Sequence, residues 1–337
     1  MVFESFFSTV QSSPLLSLSV ACSSIFGALW LTRISLSFFK VLVDVYLRTG
    51  VDLKQYGAGA GGWAVVTGCT DGIGREFTVQ LAKKKFNVVL ISRTLSKLEE
   101  LSSEIEKQYS VETKVFPLDF TKGSSQDFSN LKSLLESLQV NVLVNNVGTN
   151  HEFPTPFAIE SDEVIEKIVE VNINGMLKMT KMVIPEMVAR RNGLIINLGS
   201  FSGLVPTAYL SVYSASKAFL STFSQALGAE VASKGVIVEN VNTYFVTTAM
   251  SKIRRPSLLI PTAKLYVASV LSRIGVSGGA STPFTSSPYT SHAIANWFID
   301  NTFSMSFWVM KSLGMQIDIR KRALKKKERE AQKAAES

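Results

Sequence analysis

The chain has 337 residues, a formal net charge of +8 and a hydrophobic content of 46%, which allows one substantial core or two smaller ones. Its two cysteines and two histidines are too few and too scattered for a disulfide framework or a Cys/His metal cluster, so we expect no bound metal. The excess positive charge lies largely in the last quarter, where it follows apolar residues without interleaved aromatics. That pattern favours an anionic membrane face or an anionic substrate and argues against a nucleic-acid partner.

Residues 1–50 predict a membrane anchor. Residues 5–32 carry no charge, and residues 15–31 are strongly apolar over nearly the length needed to span a bilayer. A second apolar run at residues 34–47 is interrupted by Lys40 and Asp44, which favours a helix that lies on the membrane or re-enters it. A cleaved signal peptide is the alternative, but no basic residue precedes the apolar run. Basic residues follow it instead, which places the downstream domain in the cytosol.

A glycine-rich turn follows the first strand pattern. Residues 57–62 predict a flexible joint, and residues 63–66 predict a buried strand that leads through a turn into an amphipathic helix. In such a turn the backbone can approach a pyrophosphate, and the helix N-terminus offers free N–H groups. We therefore assign Gly68, Gly72, Ile73 and Gly74 to a dinucleotide cofactor. Because the glycine spacing differs from the commoner Gly-x-Gly-x-x-Gly, a plain tight turn is the alternative.

The next strand indicates which cofactor is used. Residues 87–91 predict this strand, which ends in Ser92 and Arg93. Folds that select NAD place an acidic residue here to bind the ribose hydroxyls. A guanidinium in its place favours the 2′-phosphate of NADP. Lys97, one helical turn further on, is either a second phosphate contact or part of a solvated helix face.

Strand and helix patterns continue to alternate through residues 113–118, 140–144, 194–198 and 236–238, where further strands are predicted. This alternation predicts an α/β fold with a doubly wound parallel sheet of the Rossmann type, with its site at the carboxyl edge of the strands. Three residues that follow strands are assigned to the cofactor groove on this basis. Asp119 is positioned to touch the adenine, and Asn146 and Gly148 line the groove.

Four polar residues form the predicted catalytic group. Tyr213 and Lys217 open a helix four residues apart, so they share one face, and the ammonium is expected to lower the pKa of the phenol. The pair would then exchange a proton with a carbonyl or alcohol oxygen. Ser200, at the end of the fifth strand, can hydrogen-bond a substrate carbonyl, and Asn172 can hold a water that reaches Lys217. Taken singly, Ser200 could be a helix cap and Asn172 a kink residue.

These motifs together resemble those of the short-chain dehydrogenase/reductase family, over residues 60 to 250. The matching residues are Gly68, Gly72, Gly74, Asn145-Asn146-x-Gly148, Asn172, Ser200, Tyr213 and Lys217. The resemblance is closer to the very-long-chain 3-oxoacyl-CoA reductases, and to their fungal members in overall layout. It is carried by the segments 90–93, 143–148 and 250–257 and by the anchored N-terminus.

The resemblance implies NADPH-dependent reduction of 3-oxoacyl-CoA to 3-hydroxyacyl-CoA in the fatty-acid elongation cycle of the endoplasmic-reticulum membrane. It also implies that the elongase, the 3-hydroxyacyl-CoA dehydratase and the enoyl reductase are partners. By the same resemblance, Lys217 binds the nicotinamide ribose, and Val246 and Thr248 lie near the nicotinamide. Two departures stand out: the sixth strand is followed by Tyr244-Phe245 where many members have Pro-Gly, and Val147 replaces the usual Ala.

The sequence divides into an anchor (1–50), a reductase domain (57–290), an apolar membrane-associated segment (291–316) and a basic tail (317–337). The apolar segment is a membrane-seated helix, the wall of an acyl tunnel, or core. The tail is interpreted as solvated and facing lipid headgroups. Three basic residues at 252–255 either bind the phosphates of an acyl-CoA or form a solvated charge run.

Two other functions remain open at this point. One is a 17β-hydroxysteroid or retinoid dehydrogenase on the same scaffold. The other is a non-catalytic membrane scaffold that uses the fold to bind partners, although intact Tyr213, Lys217 and Ser200 argue against it.

Overall fold

Seven parallel strands form one sheet in the computed structural model, which describes residues 12–335. The strands are β1 Trp63–Thr67, β2 Asn87–Ser92, β3 Thr113–Pro117, β4 Val140–Asn145, β5 Gly193–Leu198, β6 Val236–Val241 and β7 Thr285–Ser286. Their order in space is β3-β2-β1-β4-β5-β6-β7, and every neighbouring pair is parallel. The prediction of a doubly wound parallel sheet is therefore confirmed. The short strand β7 pairs with β6 and forms one edge of the sheet.

Helices cover both faces of the sheet. Parallel neighbouring strands must be joined by crossover connections, and the helices of these connections pack on the two faces. The helices are α1 Pro14–Tyr46, α2 Gly72–Lys83, α3 Leu95–Tyr109, α4 Ser125–Glu136, α5 Asp162–Val169, α6 Gly175–Ala189, α7 Phe201–Leu204, α8 Ser211–Val231, α9 Ala263–Ser272, α10 Thr290–Asn301 and α11 Met305–Ala335. A π-helical turn, Glu170–Asn174, joins α5 to α6, and short 3₁₀ turns lie at Leu53–Tyr56, Phe157–Ile159 and Ala232–Lys234. Side chains of α2, α3 and α9 fill one apolar layer, and those of α4, α6 and α8 fill the other.

The site is positioned by the point where the strand order reverses. From β1 the chain winds outward through β2 and β3, then returns to lay β4 on the other side of β1. Val66 pairs with Val144 in register, so the two strands end side by side. The loops after β1 and β4 therefore diverge from one edge and leave a crevice, which is where such sheets bind ligands.

The N-terminal helix α1 differs from the expected two segments. It is one continuous helix of 33 residues with a mean hydropathy of 1.7 in its most apolar window, long and apolar enough to cross a membrane. The charge that was expected to interrupt it is paired instead: the Asp44 carboxylate bonds the Arg48 guanidinium at 3.1 Å and the Ser277 hydroxyl at 2.8 Å. The charged group thus docks the helix on the domain without breaking it. Residues 1–11 of the predicted anchor lie outside the described residues.

The carboxyl end of α1 is tied into the rest of the fold. Val41 and Val45 are buried against Ala293 of α10, and the Arg273 guanidinium donates to the Val45 carbonyl at 2.6 Å. Just after α1, the backbone N–H of Gly50 donates to the Ser272 carbonyl at 2.8 Å. A Cβ at Gly50 would overlap the backbone of residues 273 and 274, so this approach requires glycine.

Two further segments differ from expectation. The predicted flexible joint is an ordered turn, in which the N–H groups of Ala60 and Gly62 both donate to the Gly57 carbonyl. The apolar segment 291–316 is shared by α10 and the start of α11, separated at residues 302–304. From there α11 continues through most of the basic tail. Because Arg320 donates to the Pro154 carbonyl at 2.7 Å, the tail is partly packed on the loop after β4.

Candidate active site

The turn between β1 and α2 is shaped for close approach by a ligand. Gly68 and Gly72 adopt φ values of 64° and 54°, which L-residues with side chains rarely adopt. A Cβ at Gly74 would overlap the Gly68 carbonyl and the Asn146 amide. Asp71 caps α2 by accepting a 2.6 Å hydrogen bond from the Gly72 N–H. The other N–H groups of the first turn form the positive end of the helix dipole. An anion is the ligand that such a turn favours.

Asn146 fastens this turn to β4. Its amide nitrogen donates to the carbonyls of Thr67 and Gly68 at 2.8 and 3.1 Å, while the Thr67 hydroxyl accepts from the N–H groups of Asn146 and Val147 at 3.0 Å each. The side chain expected to line the groove therefore also sets the shape of the turn. Thr67 was missed from sequence. Its signal is a hydroxyl residue directly before the first glycine of the turn.

The neighbouring edge of the sheet carries the two residues predicted for the adenosine half of the cofactor. Arg93 is exposed just after β2, and Asp119 follows β3, the strand next to it. Burial opposes ionisation of Asp119, but hydrogen bonds from Thr121 and the charges of Arg93 and Lys122 outweigh it and lower the pKa of this carboxyl. A cation and a carboxylate thus flank the end of the crevice.

Ser200, Tyr213 and Lys217 meet where β5 ends. The Ser200 hydroxyl lies close enough to the Tyr213 phenol to offset part of the rise that burial causes in its pKa. It accepts from the Ser202 N–H at 3.1 Å, so it caps α7 as well. Tyr213 and Lys217 lie in the first two turns of α8, as predicted. The Lys217 ammonium is buried, donates to the Leu198 carbonyl at 2.6 Å and lies 5.8 Å from the centre of the Tyr213 ring.

The pKa values differ from the expectation that Lys217 acidifies Tyr213. Burial raises the pKa of Tyr213, and the neighbouring Ser200 hydroxyl offsets only part of that effect. Burial also lowers the pKa of Lys217 to about 8. The physical reason is that a buried site disfavours the charged form of both groups, and the ammonium is directed at the Leu198 carbonyl. The phenol consequently stays protonated at neutral pH, as a proton donor must.

Asn172 lies in the π-helical turn, a feature often found at functional sites. Its carbonyl oxygen accepts from the Thr149 N–H at 2.8 Å, and its amide nitrogen donates to the Thr149 carbonyl and the Ser216 hydroxyl at 3.0 Å each. A Cβ at Gly148 would lie 3.5 Å from the Asn172 oxygen and 3.8 Å from the Lys217 ammonium, so these groups face one small space. The predicted water relay between them stays a prediction.

The segment after β6 crosses back to the glycine turn. Val246 is buried, and a Cβ at Gly72 would lie 3.2 Å from the Thr248 methyl group, so Thr248 borders the turn directly. The Tyr244 ring, at the departure from the family pattern, packs 5.3 Å from Phe201 and 5.9 Å from His292. This aromatic group beside the catalytic strand was not predicted from sequence.

The remaining candidates occupy simpler roles. Burial lowers the pKa of His292 to about 4, so it is a neutral packing residue. Lys252 donates to the Glu152 carbonyl at 3.0 Å, and Arg254 and Arg255 are exposed. Their assignment to acyl-CoA phosphates stays a prediction. Within residues 12–335, no group of three or more His, Cys, Asp or Glu side chains is arranged to hold a metal ion.

The chain is similar to known proteins in sequence and in structure. The model of the short chain dehydrogenase family matches residues 62–258. The very-long-chain 3-oxoacyl-CoA reductase of Aspergillus oryzae is 47% identical over 312 residues, which cover 91% of this chain and 90% of that protein. The protein of the same name from Coprinopsis cinerea is 46% identical and covers 89% of each chain.

One solved structure is also similar in sequence. A variant of actinorhodin polyketide ketoreductase, crystallised with NADPH, is 32% identical, with a TM-score of 0.52 over 57% of this chain and 73% of that one. The similarity to the two fungal proteins extends well beyond residues 62–258. It therefore includes segments outside the dehydrogenase core.

Proposed function

Since the chain belongs to the short-chain dehydrogenase family, we propose that it is an NADPH-dependent reductase. It converts very-long-chain 3-oxoacyl-CoA to 3-hydroxyacyl-CoA during fatty-acid elongation. The observation that carries the reaction type is the position of the Tyr213 phenol beside Ser200 and Lys217, at the sheet edge that also bears the glycine turn, with burial raising the pKa of the phenol. The substrate is inferred from the names of the fungal relatives.

The residues around the crevice fit NADPH. The glycine turn offers a surface without side chains, the amino end of α2 suits a pyrophosphate, and Arg93 suits a 2′-phosphate. We assign cofactor binding to Gly68, Gly72, Ile73, Gly74, Arg93, Asp119, Asn146, Gly148, Tyr213, Lys217, Val246 and Thr248.

The catalytic roles follow from the positions of four side chains. NADPH supplies the hydride for carbon 3 when it is bound. Ser200 donates a hydrogen bond to the carbonyl oxygen of the substrate and fixes it beside Tyr213. Tyr213 donates its proton to that oxygen as negative charge develops there. Lys217 holds the nicotinamide ribose and, with Asn172, supports the return of a proton to Tyr213.

The purified full-length chain in detergent is expected to oxidise NADPH when 3-oxoacyl-CoAs of increasing chain length are added. A 17-ketosteroid and retinal serve as comparison substrates, because the same fold supports reduction of either. Loss of absorbance from NADPH measures each rate. Reduction of the steroid or the retinoid alone would overturn the acyl-CoA assignment.

Affinity for NADPH is expected to fall as the pH rises through about 8. Burial lowers the pKa of Lys217 to about 8, so the ammonium that binds the ribose is present below that pH and lost above it. The ratio kcat/KM for NADPH reports on the free enzyme and should decline on the alkaline side. In the Lys217→Met variant, the Kd for NADPH should be higher than in the wild type and should not rise further as the pH passes through about 8. A wild-type profile that is flat across this pH would contradict the role.

We also propose that α1 anchors the protein in the endoplasmic-reticulum membrane with the catalytic domain in the cytosol. Support comes from the exposed apolar surface of α1 and the basic residues that follow its most apolar part. The elongase, the 3-hydroxyacyl-CoA dehydratase and the enoyl reductase would then be neighbours in the same membrane, because each acts on an earlier or later intermediate of the same cycle.

A further inference from the structure

Four aromatic side chains form a half-exposed cluster where α10 turns into α11. This ring cluster consists of Phe298, Phe303, Phe307 and Trp308. Its ring centres are separated by 4.3 Å (303 to 307), 5.2 Å (307 to 308) and 5.8 Å (298 to 308). The three phenylalanines are 44%, 52% and 43% exposed. So much aromatic surface gains free energy when it leaves water.

The packing of α10 on α1 determines which part of α1 lies beside the ring cluster. Ala293 packs with Val41, and four residues later the Trp297 indole donates to the Ser37 hydroxyl at 2.8 Å. The two helices therefore run antiparallel, and residues beyond Trp297 lie beside the part of α1 before Ser37. That part includes the exposed, uncharged stretch from residue 14 to residue 32, about 28 Å long at 1.5 Å per residue, which is within the range needed to cross a bilayer.

We propose that the ring cluster is a second membrane contact, seated in the headgroup region of the leaflet from which α1 emerges. The inference rests on the proposed anchoring of α1. Trp is favoured at this depth because it combines an apolar body with a polar edge, and Phe is common on the apolar face of helices that lie in the interface. The Trp308 N–H is already bonded to the Ile299 carbonyl at 3.1 Å, so its burial in the interface leaves no donor unpaired.

The segment lies on the membrane and does not span it. Helix α10 has 12 residues, about 18 Å, and it carries Asn296 and Asp300, which are hydrogen-bonded to each other at 2.9 Å. Helix α11 becomes cationic after its first turns, which suits anionic headgroups. Arg320 and Lys327 contact the loop after β4, whereas Lys321, Arg322, Lys325 and Lys326 are among the exposed basic side chains of this part. A second copy of the chain could cover the rings only by displacing the lipid around α1.

The test places an environment-sensitive nitrobenzoxadiazole label at Phe303→Cys in the full-length chain, in a Cys22→Ser background. Cys69 is buried and can stay. The protein is reconstituted in vesicles of phosphatidylcholine and phosphatidylserine, with and without phosphatidylcholine spin-labelled near its headgroup. Label inserted in the interface should lose fluorescence to the spin-labelled lipid, as the label at position 29 does. The matched exposed position Glu136→Cys, on α4, should lose none, and Leu29→Cys, within α1, serves as the positive control.

Each outcome decides the proposal. Quenching at position 29 without quenching at position 303 overturns it. Energy transfer between labelled copies at 303, without quenching by lipid, overturns it in favour of self-association. No quenching at position 29 removes the anchoring on which it rests. Rates of 3-oxoacyl-CoA reduction measured on the same vesicles keep these results separate from a failure of the proposed catalytic function.

Discussion

Replacing Tyr213 by phenylalanine is expected to lower kcat for 3-oxoacyl-CoA reduction by about 10²- to 10⁴-fold, the usual contribution of a positioned general acid. The reason is that the phenol is the protonated group that Ser200 holds at the strand edge, and burial raises its pKa. The variant retains the ring, so the packing of α8 should persist. Steady-state oxidation of NADPH measures kcat, and fluorescence titration measures NADPH binding, which should weaken far less than kcat because the other cofactor-binding residues are intact.

Tyr109→Phe is the matched control, because Tyr109 ends α3 on the periphery of the sheet and should leave kcat unchanged. A Tyr213→Phe enzyme with wild-type kcat would remove the phenol from the chemistry. Normal fatty-acid elongation in cells that carry only an inactive Tyr213→Phe protein would instead support the non-catalytic scaffold.

Replacing Arg93 by alanine is expected to raise KM for NADPH by about 10- to 100-fold, because a hydrogen bond to a charged group contributes about 1.5–3 kcal/mol. KM for NADH should stay nearly constant, since NADH lacks the 2′-phosphate that Arg93 is proposed to bind. The ratio of the two kcat/KM values is the measurement, because it cancels any general effect on folding.

Two lysines on α3 refine this result. Lys107→Ala, near the far end of the helix, should change neither KM. Lys97→Ala, one turn after Arg93, distinguishes a second phosphate contact from a solvated helix face by whether it raises KM for NADPH alone. Equal weakening of NADPH and NADH by Arg93→Ala would contradict the assignment to the 2′-phosphate.

The strand ends could be predicted because their signals are local. Gly68, Asn146 and Ser200 each follow an apolar run, and parallel strands bring their carboxyl ends to one edge. Knowing the order of strands and helices was therefore sufficient to gather them at one crevice. The same logic placed Tyr213 and Lys217 together, since a helix brings residues four apart onto one face.

Contacts between distant parts of the chain could not be predicted in this way. The Thr67 hydroxyl and the Asn146 backbone that bonds it are 79 residues apart, and no periodic pattern reports such a pair. The pKa of Tyr213 also depends on how deeply the finished fold buries it, which outweighed the effect expected from Lys217. Asp44 was interpreted as an interruption of a helix, because its partner Ser277 lies 233 residues away.

The junction at Gly50 determines how rigidly the catalytic domain is joined to α1. A long glycine-rich linker would have been a flexible tether and would have let the domain reorient freely relative to α1. Here Gly50 and Val51 bond the backbone of Ser272 and Ile274 as soon as α1 ends, so the helix serves as a rigid mount. With α1 anchored as we propose, the mouth of the crevice would keep a constant height and orientation relative to the bilayer. A substrate with a lipid-soluble acyl chain would then reach it by diffusion in two dimensions.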